Sequence, residues 1–140
     1  MTLAQALKEK NRLASSIKEL TDIIKTNNLN SKEASCVVDL VKVHKELLDA
    51  TSKLIDIKAK IHIANAPVAH QIYELSETKS VIALYKAIPS KEGRSRFSSD
   101  DIQIAQFKTD TLLEMSKTVQ SRIDALQDEL DTFNAKTLIE

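Results

Sequence analysis

Glycine occurs once and proline twice in the 140 residues of this chain. Tight turns depend on those residues, so a fold of many short strands is excluded. Tryptophan is absent and aromatics make up 4%, which leaves aliphatic side chains to build any core. A lone cysteine, Cys36, excludes an intramolecular disulfide and fits a reducing compartment. Its neighbours Ala34, Val37 and Val38 supply neither base nor cation, so Cys36 reads as a small hydrophobe rather than a reactive thiol. An excess of one charge is missing too: 20 Lys and Arg balance 20 Asp and Glu. Phosphate neutralisation supplies most of the affinity of duplex-binding proteins, so this balance argues against a nucleic-acid partner and leaves room only for a local basic cluster. No stretch approaches the ~18 apolar residues of a membrane span. Met1–Leu13 carries charge throughout, unlike a signal peptide. The expectation is a soluble cytoplasmic protein of one domain, 1–140, with no membrane partner.

What is present is helical periodicity. Thr2 and Gln5 have the spacing of a capping box, and a first helix is predicted over about 3–28. Leu13, Ile17, Leu20 and Ile24 form its apolar stripe, extended backwards by Leu3, Ala6 and Lys10. The run Asn27–Ser31 stops that helix and offers caps for the next.

The second helix, predicted over about 32–65, carries three columns at heptad spacing. They are Leu40, Leu47, Leu54 and Ile61; Val41, Leu48 and Ile55; and Val43, Ala50, Ile57 and Ala64. Three columns make a face wider than a simple coiled-coil seam and wider than one partner helix covers. Asn65-Ala66-Pro67 marks a break, and a third helix follows over about 68–88, ended by Pro89. An irregular loop occupies 89–109. Within it Ile102 and Ile104 alternate with polar residues over the length of a short strand; lacking an evident second strand, that segment is expected to pair with a neighbouring copy or stay extended. In the fourth helix, about 110–135, Leu112, Ser116, Val119, Ile123, Leu126, Leu130 and Phe133 alternate spacings of four and three without a slip. The fold class expected is all-α, with a short β-hairpin or strand allowed near 94–105. Its long helices form antiparallel hairpins in a coiled-coil-like bundle whose core or oligomer seam includes Leu40, Leu47, Leu54, Ile61, Val119, Ile123, Leu126 and Leu130.

Three constellations carry possible chemistry. Val37, His44, Thr51, Lys58 and Asn65 run down the middle of the broad face of the second helix. Polar groups there must be paired or line a wet seam, either setting register between helices or forming an interior ligand site. His70, Glu74 and Glu77 share one face of the third helix and are candidate metal ligands, but carboxylate-bridged bundles take a Glu-x-x-His from each of two helices and this chain has none. The ordinary reading is an exposed charged face. Lys91, Arg94 and Arg96 with Phe97 make a small basic and aromatic loop of the kind that contacts phosphate or RNA, diluted by Glu92, Asp100 and Asp101. No Ser-His-Asp order, glycine-rich phosphate loop or Cys-x-x-Cys is found, and no cofactor is implied.

Several short motifs follow one another in a familiar order. Leu3-Ala4-Gln5-Ala6-Leu7 leads to Asn27-Asn28, then Ile61-x-x-x-Asn65-Ala66, then Leu75-x-Glu77. Arg94-x-Arg96-Phe97, Ile102-x-Ile104 and Asn134-Ala-Lys-Thr137-Leu138 complete the series. This order resembles the septicolysin-like family of small helical bacterial proteins over nearly the whole chain. Pro67 stands where that family would have a longer Gly-containing turn. The resemblance implies a helical fold that can carry a small strand pair after the third helix, and it implies no established activity. The function expected is therefore an oligomeric helical scaffold or protein-interaction protein without catalysis. The alternatives are a small-ligand or metal-binding enzyme using the polar column, and a weak nucleic-acid binder through the 91–97 loop.

Overall fold

Helix α1, Leu3–Asn27, starts at the capping box. The Gln5 amide donates to the Thr2 hydroxyl at 3.2 Å, and the Thr2 amide donates back to the Gln5 side chain at 2.9 Å. Helix α2 spans Leu40–Asn65. Its start is a correction, because periodicity placed it near residue 32, whereas Lys32 lies in a turn and Val38 in a bend. Heptad spacing reports which residues share a face but not where the helix begins. Asp39 decides that, its carboxylate accepting from the amides of Val41 and Lys42 at 3.1 and 3.2 Å. The structure, a computed structural model, describes residues 1–32, 38–97 and 100–140. Cys36 and Val37 lie outside the described residues.

A single 3-10 turn, Ala66–Val68, containing Pro67, separates α2 from α3, Ala69–Ala87. Ile88 is extended, the conformation that a following proline favours, and ends α3. Strands β1, Gly93–Arg94, and β2, Ile102–Gln103, precede α4, Thr109–Lys136. Four α-helices and one two-stranded antiparallel sheet thus make up the described residues, confirming the all-α class with its small hairpin. None of these helices is long and apolar enough to cross a membrane.

The chain divides into two units. The first is Met1–Pro67 with Phe133–Glu140. In it α1 and α2 pack closely as an antiparallel hairpin. Leu3, Ala6 and Leu13 of α1 meet Ile57 and Ile61 of α2 and Ile139, with Leu7, Ala50, Leu54, Ala64 and Phe133 packed around them. The chain ends are stitched together beside that core. The Leu3 amide donates to Thr137 carbonyl oxygen at 2.8 Å, the Ile139 amide to that of Met1 at 2.9 Å, and Thr2 pairs with Leu138 as an antiparallel bridge.

The second unit is Val68–Thr132. Here α3 and α4 run antiparallel, tied at two levels. Arg122 clasps Glu74, and the hydroxyls of Ser90 and Thr109 share a hydrogen bond of 2.8 Å. Between the helices the hairpin pairs Gly93 with Gln103 and Arg94 with Ile102, and the Ser95 amide donates to Asp101. Sequence periodicity left Ile102 without a partner in its own chain; the structure supplies one. Gly93 takes φ of 138°, a conformation L side chains rarely adopt, so the one glycine sits where the backbone requires it.

Candidate functional site

The broad face of α2 splits when α1 packs on it. The columns Leu40, Leu47, Leu54, Ile61 and Val43, Ala50, Ile57, Ala64 are all buried or half-buried. The third column stays in solvent: Val41 is 82% exposed, Leu48 55% and Ile55 62%. The stripe presented by α1 (Leu3, Ala6, Leu13, Ile17, Leu20 and Ile24) is a single helix face, and the core it forms takes in Ala50, Leu54, Ile57, Ile61 and Ala64 of α2 but none of that row. Isolated exposed aliphatics are normal on protein surfaces. A heptad-spaced row of three on one helix is the pattern of an interaction seam.

The polar column lies beside that row, and it is not an interior of this chain. His44 and Lys58 are exposed, while Thr51 and Asn65 are half-buried. This corrects the expectation of a buried column within one copy, because α1 covers the opposite edge of the face. Thr51 turns its hydroxyl back onto the Leu47 carbonyl at 2.7 Å, a local bond that needs no partner helix. No polar or charged side chain is buried among the described residues, so a walled-in ligand site on this helix has no support.

The three candidate metal ligands do not converge. His70 Nδ1 lies 3.8 Å from Glu74 Oε2, but both Glu74 oxygens are held by Arg122, at 2.6 Å from Nε and 2.8 Å from Nη2. Glu77 is exposed. The paired guanidinium holds the Glu74 carboxyl below its ordinary range. Among the described residues no group of His, Cys, Asp and Glu could hold a metal ion. Helical spacing placed His70 and Glu74 together correctly; it could not show Arg122, 48 residues further on.

On the 91–97 loop the structure rearranges the charges. Glu92 turns to Lys108, whose ammonium holds its carboxyl below the ordinary range. Lys91, Arg94 and Arg96 therefore keep their charge unopposed by Glu92, and Phe97 is 97% exposed. Together with Glu92 itself, Gly93 and, from β2, Gln103 they line a cleft of about 370 Å³. On α4, Ile123, Leu126 and Leu130 are buried and Val119 is half-buried, so this seam is turned inward. No family model, no curated protein and no solved structure matches this chain.

Proposed function

We propose that this chain is an oligomeric helical scaffold or protein-interaction protein that works without catalysis. The observation that supports it is the solvent-facing row Val41, Leu48 and Ile55 on α2, left over when its own chain has covered the other two columns. Fully burying one such side chain is worth about 1.5–3 kcal/mol, so six from two copies supply on the order of 10 kcal/mol. Association costs about 4–15 kcal/mol, which predicts an assembly that depends on protein concentration rather than a locked one. The resemblance to the septicolysin-like family belongs to the same proposal and adds no activity to it.

Light scattering across the micromolar range tests the proposal. A mass rising above the 15.6 kDa of one chain is expected; a strict monomer throughout would overturn it. Leu48→Glu should abolish assembly with circular dichroism unchanged, since Leu48 faces solvent in one copy. Leu47→Asp, one residue away on the half-buried side, should lose helicity and assembly together. Leu48→Glu that assembles like the wild type would mean the seam lies elsewhere.

A further inference from the structure

The cleft at the base of the hairpin carries chemistry that a self-association role does not use. Three cations, Lys91, Arg94 and Arg96, line it within six residues of sequence, and among the described residues no carboxylate pairs with any of them. The acidic residue inside the same run, Glu92, is neutralised by Lys108. Phe97, one of three phenylalanines in the chain, is almost wholly in solvent beside those cations. Gln103 adds an amide able both to donate and to accept. A volume of about 370 Å³ is at the small end of ligand pockets, with room for one nucleotide of a strand whose neighbouring phosphates lie along the rim.

From this juxtaposition we infer that the cleft is a binding site for single-stranded nucleic acid. Arg94, Arg96 and Lys91 take successive phosphates, and a base stacks on the exposed Phe97 ring. Planar guanidinium groups suit phosphate, and an aromatic face accepts any base without regard to sequence. A duplex is disfavoured, because its stacked bases leave nothing for Phe97 to meet. An anionic membrane surface is the weaker fit. Juxtamembrane binding rests on clusters of about four to eight basic residues, and this site has three on a concave wall. The zero net charge of the chain confines the attraction to this loop, so affinity per copy is modest.

Fluorescence anisotropy with a labelled short oligouridylate, titrated with the full chain at several salt concentrations, is the test. With three phosphates neutralised on a single strand, the logarithm of the affinity should fall against the logarithm of salt with a slope of about −2. The double variant Arg94→Gln, Arg96→Gln should bind at least about ten-fold more weakly and with a shallower slope. Phe97→Ser should lose about five- to a hundred-fold with the slope preserved, since stacking releases no counterions. All of these positions are exposed, so circular dichroism should not change. Absence of oligouridylate binding at low salt, or binding indifferent to these substitutions, overturns the assignment. Binding of phosphatidylserine vesicles without oligouridylate binding would overturn it too, and would make the loop a lipid contact. The site and the α2 seam are tested separately, because Leu48→Glu should leave oligouridylate binding per chain intact.

Discussion

Arg122 shows how a single residue sets the chemistry of its neighbours. Its guanidinium meets both oxygens of Glu74, lowering the acid's pKa and raising its own. Arg122 is exposed and Glu74 half-buried, so water screens the pair and it contributes registration between α3 and α4 more than stability. The sign of its pH dependence is fixed. A carboxylate with a depressed folded pKa lends its full contribution above the ordinary glutamate range, and that contribution drains away as pH falls through the depressed value. Arg122→Gln should return Glu74 toward its ordinary pKa, read from the side-chain carboxyl resonance in an NMR titration. A Glu74 curve unmoved by that substitution would show that another group governs it. The sequence placed His70, Glu74 and Glu77 on one face, read there as an exposed charged face with metal ligation the lesser alternative; it contained no local sign that an arginine on another helix would occupy the carboxylate. Lys108 taking Glu92 is the same lesson, and it is why the basic loop is less diluted than its composition suggests.

At the level of the element, α2 carries the main argument. Its start depends on Asp39, whose carboxylate takes two amides of the first turn. Asp39→Ala should cost about 1 kcal/mol in denaturant unfolding, with Asp39→Asn close to wild type. A neutral Asp39→Ala would mean that the first turn is capped by other means. The three heptad columns were legible because 3.6-residue periodicity is a property of the local backbone. Which column would stay uncovered was not legible, since that depends on the width and approach of α1. The polar column was placed correctly on the face and wrongly in the interior for the same reason. The strand pair shows the opposite limit: Gly93-Arg94 is too short to alternate, so only its hydrogen-bonded partner reveals it as a strand.

For the molecule as a whole, the two ends of the chain complete the first unit. Ile139 enters the α1–α2 core, and Thr137 accepts the otherwise unpaired amide of Leu3. Deleting Thr137–Glu140 should lower stability by about 2–5 kcal/mol, the usual range for removing a buried aliphatic side chain. Hydrogen exchange at Leu3 should quicken in step, and an unchanged unfolding midpoint would contradict the role given to this stitch. The sequence by itself determined the four helices apart from the start of α2, most of their faces, the capping box at Thr2 and the aliphatic character of the core. Each of these is written in spacings of seven residues or fewer. The tertiary structure decided which columns of α2 are covered, that Arg122 holds Glu74, that Lys108 holds Glu92 and that the ends of the chain pair. Those outcomes join residues far apart in the chain, where local periodicity carries no information and only packing selects the partner.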